Sequence, residues 1–182
     1  MDVRYLTASD DFDLRQILTL QQSNLRLTKS PEIEAEQGFV TVKHEFSLLK
    51  DMNEEAPHII AKDGDKVVGY ALGMTRKFKD KVAVLQPMFE LLDGLLFDGK
   101  RLGDLDYIVM GQICIDEAYR GKGIFKGLYD LYFEIYKPIF GFVVTEVAAR
   151  NTRSLKAHLN VGFKEIYRYK ETGFEEWIVI IY

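Results

Sequence analysis

A mixed α/β fold is what this sequence predicts, on three observations. Apolar runs of strand length alternate with stretches whose apolar residues recur at helical spacing. Two pairs of strand patterns are each split by a turn tripeptide, Asp63-Gly64-Asp65 and Glu171-Thr172-Gly173. A long strand pattern over 106–116 is followed, after a short glycine-containing loop, by an amphipathic stretch.

In order, Val3 to Thr7 reads as a short strand, and Ser9-Asp10-Asp11 supplies caps for a helix carrying Leu14, Ile17, Leu18 and Gln21 on one face. Ser30-Pro31-Glu32 opens a second, short acidic helix: a hydroxyl cap, proline in the first turn, carboxylates at the positive end, and Gly38 to stop it. Phe46, Leu49 and Met52 mark a third helix before Pro57. His58 to Lys62 and Lys66 to Met74 then form a hairpin. Arg76 to Asp104 is the least regular stretch and is expected to be an insertion. Asp106 to Asp116 is a long strand; Ile124, Leu128, Leu131 and Ile135 follow at helical spacing until Pro138 ends the pattern. Phe142 to Ala149 is a strand, Asn151 caps a short helix ending at Gly162, and Phe163 to Lys170 with Phe174 to Tyr182 closes the chain as a hairpin.

The 182 residues, 47% hydrophobic, suit one compact domain spanning 1–182. No apolar run reaches the roughly 18 residues of a membrane span, and Met1-Asp2-Val3-Arg4 lacks the order of a signal peptide. Cys114 is the single cysteine, so neither an internal disulfide nor a cysteine-based metal cluster is open to the chain, and a cytoplasmic address is expected. A net charge of -4 argues against affinity built on covering a phosphate backbone. Between Arg120 and Lys156, however, seven basic side chains face three acidic ones, a local +4 that leaves -8 elsewhere. A positive field inside an acidic chain suits a compact polyanion.

The loop Tyr119-Arg120-Gly121-Lys122-Gly123-Ile124-Phe125 lies where a helix begins, and the first amides of a helix have no partner within it. Glycines there let an anion approach the main chain, and the helix dipole adds attraction. No Gly-x-x-x-x-Gly-Lys-Ser/Thr string occurs, and Gly121-x-Gly123 is followed by Lys126 where a dinucleotide fingerprint needs its third glycine. The Arg-x-x-Gly-x-Gly/Ala signature of the GNAT superfamily of N-acetyltransferases does match, through Arg120 and Gly123, with Phe125 in place of the last small residue. Downstream, Asn151, Ser154, His158, Gly162 and Phe163 resemble in order and spacing that family's Asn-x-x-Ala/Ser, aromatic position and closing Gly-Phe. The resemblance covers 57–182 well and Val3 to Gln22 less specifically.

This resemblance implies a central, mostly antiparallel sheet of six or seven strands, about four helices on both faces, and fourth and fifth strands that splay to admit the pantetheine arm of acetyl-CoA. Main chain of Ile113, Cys114 and Ile115 would meet that arm, the amides of Arg120, Gly121, Lys122, Gly123, Ile124 and Phe125 the diphosphate, and Asn151 and Ser154 the arm or phosphates. For Asn151 a helix cap is the competing role. The implied reaction is direct attack of an amine on the thioester. His158 stands at the family's tyrosine-acid position, with local packing as its alternative; Glu146, Gln112 through a water, or His44 could serve as base. Cys114 is expected in the sheet core rather than as an acyl carrier. The insertion 76–104 would lie beside the acceptor site or complete the core as an amphipathic helix. The partners expected are acetyl-CoA and a primary amine, small or peptidic, with no nucleic acid, no membrane, no metal, and a homodimer left open. A non-catalytic coenzyme-A-binding sensory or regulatory module is the alternative function.

Overall fold

A computed structural model describes residues 2–25, 40, 43–81, 85–170 and 175–182. Among them, seven strands form one sheet: β1 (Val3–Thr7), β2 (Ile59–Asp63), β3 (Lys66–Met74), β6 (Tyr107–Ile115), β7 (Phe142–Ala148), β9 (Glu176–Ile181) and β8 (Lys164–Lys170), in that spatial order. Every neighbouring pair is antiparallel except β6 and β7. A separate small hairpin joins β4 (Leu96–Phe97) to β5 (Lys100–Arg101).

Among the described residues, five α-helices cover the sheet. On one face lie α1 (Asp11–Gln22), α2 (Phe46–Glu55) and α3 (Gln86–Gly94), which bury Leu14, Ile17, Leu49, Met52, Phe89 and Leu92 against Tyr70, Leu72, Val109 and Val144. On the other lie α4 (Ile124–Phe140) and α5 (Thr152–Asn160), packed over Val68, Ala71, Ile108, Val143 and Ile178. Each such side chain taken out of water contributes about 1.5–3 kcal/mol before ordering entropy is set against it. The caps fall where the sequence put them: Asp10 accepts from Asp13 N at 2.9 Å, and Asn151 from Ser154 N at 3.3 Å.

Helix α4 departs from expectation twice. Pro138 does not end it; the proline sits exposed in the last turn, and the helix runs to Phe140 before Gly141, whose N–H donates to Lys137 O at 2.9 Å. Its missing N–H removes only one intrahelical bond near an end. The fully buried face is also aromatic: Tyr129, Tyr132 and Tyr136 join Ile124 and Leu128 there, while Leu131 and Ile135 are only partly buried. Tyr132 donates to Val109 O at 3.2 Å and Tyr136 to Pro57 O, so the rings are interior and two hydroxyls end on strand or loop carbonyls. The expected second helix, from Ser30 to Gly38, and the turn 171–173 lie outside the described residues.

Two irregularities in β6 position the site. Its parallel pairing with β7 covers only Tyr107↔Phe142, Ile108↔Val143 and Val109↔Val144, after which the strands diverge. Against β3 the register steps between Leu72↔Gln112 and Gly73↔Met110, so Gly111 is an extra residue. The bulge inverts the alternation. Tyr107 and Val109 face α1 before it, Cys114 faces α1 after it, and Met110 and Ile113 face α4.

Candidate active site

The loop after β6 is anchored from both sides. Asp116 accepts from Ala118 N at 3.0 Å and pairs with Lys66 at 2.6 Å, while the Tyr119 hydroxyl donates to Asp63 at 2.9 Å. The chain then turns through Gly121 (φ 74°) and Gly123 (φ 80°), a left-handed conformation that any side chain would strain. Among the described residues, and apart from the glycine's own chain neighbours, no heavy atom lies within 4 Å of where a Cβ on either glycine would stand, so the space in front of the turn is open with respect to them. Gly123 is the N-cap of α4 and offers no side-chain acceptor to the first-turn amides. Arg120 bridges elements: Nε donates to Ile115 O at 3.2 Å and Nη2 to Asn24 Oδ1 at 2.7 Å. The guanidinium thereby ties the end of β6 to the residues just after α1.

This turn opens on a cavity of about 330 Å³ lined by Ile113, Cys114, Ile115, Arg120, Gly121, Gly123, Ile124, Phe125, Asn151 and Ser154, together with Asn24, Val40, Arg153 and Ala157. Ten of the cofactor-binding positions expected from sequence therefore meet around one space. Lys122 is the exception; its ammonium stands 5.3 Å over the Tyr119 ring. Phe125, in the small-residue position, turns its ring edge-on to His158, with centroids 5.1 Å apart, and packs on Tyr129 at 5.1 Å. That turn places the ring in an aromatic cluster rather than across the glycine loop.

An inner cavity of about 80 Å³ continues into the gap between the diverging strands, sharing Val40, Ile113, Asn151 and Ser154 with the outer one. Met110, Gly111, Gln112, Thr145, Glu146, Val147, Ala148, His158 and Trp177 complete its wall. Thr145 Oγ1 donates to Met110 O at 2.8 Å just beyond the last β6–β7 register pair. Groups from both faces of the sheet meet here, because His158 comes from α5 and Glu146 sits on the β7 face shared with Val144. The Tyr169 hydroxyl donates to both Glu146 oxygens at 3.0 Å.

His158 is 1% exposed. Its Nδ1 lies 2.7 Å from Ser154 O, a contact that requires the proton on Nδ1 and leaves Nε2 with a lone pair. Burial pulls its pKa down to about 4, so the ring is neutral near pH 7. Among the described residues Nε2 has no hydrogen-bond partner, and neither does the buried hydroxyl of Tyr129, whose ring centroid is 5.5 Å away. Of the other base candidates, Gln112 lines the inner cavity, while His44 lies behind Gln21 and reaches neither cavity, with burial holding it at about 4. Cys114 is buried in β6 beside Tyr70, as its strand position suggested.

The insertion touches neither cavity with any described residue. Phe89, Leu92 and Leu102 are fully buried core residues, and Asp93 clamps the segment through Arg76 at 2.9 Å, Lys79 at 3.2 Å and the Tyr107 hydroxyl at 2.9 Å. Its described apolar residues thus serve the core, as an amphipathic helix completing it would. Sequence reasoning passed over Thr145 and Trp177, for which a hydroxyl inside the apolar run 142–148 and the chain's one tryptophan were the available signals.

The sequence matches the family described as Acetyltransferase (GNAT) family over residues 19–163. A search of curated proteins finds no match. Among solved structures, the fold is similar to the ribosomal-protein-S18-alanine N-acetyltransferase from Escherichia coli, at TM-score 0.64 and 15% identity, covering 99% of this chain and 92% of that one. It is equally similar to yncA from Salmonella typhimurium with its cofactor acetyl-CoA, at 0.65 and 14%, covering 100% and 94%. Arabidopsis thaliana NAA60 in complex with a bisubstrate analogue matches at 0.65 and 14%, covering 100% and 97%.

Proposed function

The chain belongs to the acetyltransferase (GNAT) family, and from that premise we propose that it transfers the acetyl group of acetyl-CoA to a primary amine by direct attack. The observation that carries this proposal is the pair of cavities, one at the open glycine turn and one in the gap where β7 leaves β6, that share Val40, Ile113, Asn151 and Ser154 as wall. An elongated donor with an anionic end suits it: the diphosphate at the amides of Gly121 to Phe125, the pantetheine arm along Ile113, Cys114 and Ile115, and Asn151 and Ser154 beside it. The bound thioester supplies the acetyl group.

The proton roles divide between the two sheet faces. Glu146 takes the proton that turns the ammonium into a nucleophilic amine. His158, neutral with its lone pair on Nε2, accepts the second proton from that nitrogen as the N–C bond forms and hands it to the sulfur as the C–S bond breaks. It is thus a shuttle rather than a preloaded acid, since an imidazolium is rare at pH 7 in a group titrating near 4. With its one thiol buried, the chain suits a reducing compartment, and the cytoplasm is its proposed location.

A screen of primary amines with acetyl-CoA, reading released thiol, tests the proposal. Turnover is expected, and His158→Phe should lower kcat by roughly 10²-fold with donor affinity unchanged. Donor binding with no thiol release from any amine would assign the chain to non-catalytic coenzyme A binding instead.

A further inference from the structure

Three rings stand nearly perpendicular to the His158 imidazole: Phe125 at 5.1 Å and 90°, Phe163 at 5.4 Å and 82°, and Tyr129 at 5.5 Å and 73°. Phe163 and Tyr129 are buried and line neither cavity. Phe125 differs from both. It is only partly buried, it lines the outer cavity, and it stands in the first turn of α4, just after the open glycines. His158 lines the inner cavity and not the outer one. The Phe125 ring therefore lies at the border, between the imidazole and the space before the glycine turn. A glycine or alanine at 125, as in the signature that Arg120 and Gly123 match, has no atoms to reach the imidazole.

The titratable and charged groups around His158 come from several elements. Tyr129 of α4 is a neutral phenol, raised well above its ordinary value by burial. Glu146 of β7 lines the inner cavity, with the Tyr169 hydroxyl of β8 donating to it. Arg120 and Arg153 line the outer cavity, beyond Phe125. What lowers the imidazole is burial, while the Ser154 carbonyl works the other way. Water admitted past position 125 would therefore act on the largest influence this ring feels. It would also bring solvent protons to a nitrogen whose lone pair the amine's proton needs.

We propose that Phe125 is a positioning residue for His158: its ring seals the imidazole from the outer cavity, so that the histidine meets the reaction only from the inner one. That His158 carries the amine's proton rests on the acetyl-transfer proposal, whereas the seal does not.

Imidazole nitrogen-15 NMR on the full chain, labelled at its three histidines, reads protonation and solvent exchange together. His158→Phe assigns the His158 signal, and His44 and His58, buried elsewhere, report in the same spectra that each variant has folded. In the wild type the His158 Nδ1–H should be visible at pH 7, with about a hundredth of the ring protonated at pH 6. Phe125→Ala should raise that share to about half and lose the Nδ1–H signal to exchange. Phe125→Leu, which keeps an apolar side chain in place, should return both readings towards the wild type. A Phe125→Ala ring as neutral and protected as the wild-type one, a leucine variant as exposed as the alanine one, or a wild-type Nδ1–H already lost to exchange overturns the inference. Turnover separates the two proposals: relative to the wild type, Phe125→Ala should lose about twofold more kcat at pH 6 than at pH 8. A loss independent of pH, with the protonation changed, would overturn His158 as the shuttle and leave the seal standing.

Discussion

Gln21 Nε2 stands 2.7 Å from Gln112 Oε1, joining side chains 91 positions apart in the interior. Every direction in this network follows from one main-chain donor. The His44 N–H donates to Gln21 Oε1 at 2.9 Å, which leaves Gln21 Nε2 to donate both to Gln112 Oε1 and to His44 Nδ1 at 2.8 Å. Tyr70 then donates to Gln112 Oε1 at 2.6 Å. Gln112 is held with its oxygen toward α1 and β3.

Gln21→Leu strands a backbone N–H and a ring nitrogen in the interior and should cost about 3 kcal/mol, because each buried group left without a partner costs about 1–3 kcal/mol. Tyr70→Phe leaves Gln21 on the same oxygen and should cost about 1 kcal/mol. Urea denaturation reads both. A larger loss for Tyr70→Phe than for Gln21→Leu would contradict the assigned directions.

Gly123→Ala places a methyl in the open space before the turn and forces a left-handed alanine, a strain of about 1–2 kcal/mol. Coenzyme A affinity should fall at least about tenfold, while the melting temperature drops by only a few degrees. Unchanged affinity would mean the diphosphate is held elsewhere.

Acid should unfold the protein through three buried histidines. His44, His58 and His158 are held by burial at about 4, 3 and 4, against about 6.5 in the unfolded chain. Between those limits the unfolded state binds protons that the folded state refuses. Stability is therefore full above about pH 6.5 and declines as pH falls towards the folded values. Unfolding at pH 5.5 should take up roughly two to three protons, and His158→Phe should take up one fewer. Uptake near zero, read from the slope of stability against pH, would show the rings to be solvated.

Asp93→Ala removes the acceptor shared by Arg76, Lys79 and the Tyr107 hydroxyl. The insertion should loosen, with a stability loss of about 1–3 kcal/mol. Donor affinity and turnover should hold at equal folded concentration, because no described residue of the insertion lines either cavity. A selective rise in KM for the amine would place the insertion at the acceptor after all.

The strands, the caps Asp10 and Asn151 and the glycine turn were legible in the sequence because each depends on local chemistry: alternation, a short polar side chain, a missing Cβ. The buried face of α4 was not. Tyrosine counts as polar or apolar according to whether its hydroxyl finds an acceptor, and for Tyr132 and Tyr136 those acceptors come from distant segments. His44 and Gln112 both looked like proton acceptors in one dimension. Only the packing of α1 against β6 shows that Gln21 separates them, with one at the cavity wall and the other behind it. Glu146 stood in the sequence as one base candidate among three, and its contact with Tyr169 was not visible there, since that hydroxyl reaches it from two strands away.

The extra residue at Gly111 divides β6 into two lengths of opposite phase. The first, welded to β7, is folding machinery; the second, released from β7, is cavity wall. Such a joint lets a lineage retune what the protein handles by editing the stretch after Gly111, while the stretch before it goes on assembling the domain unchanged.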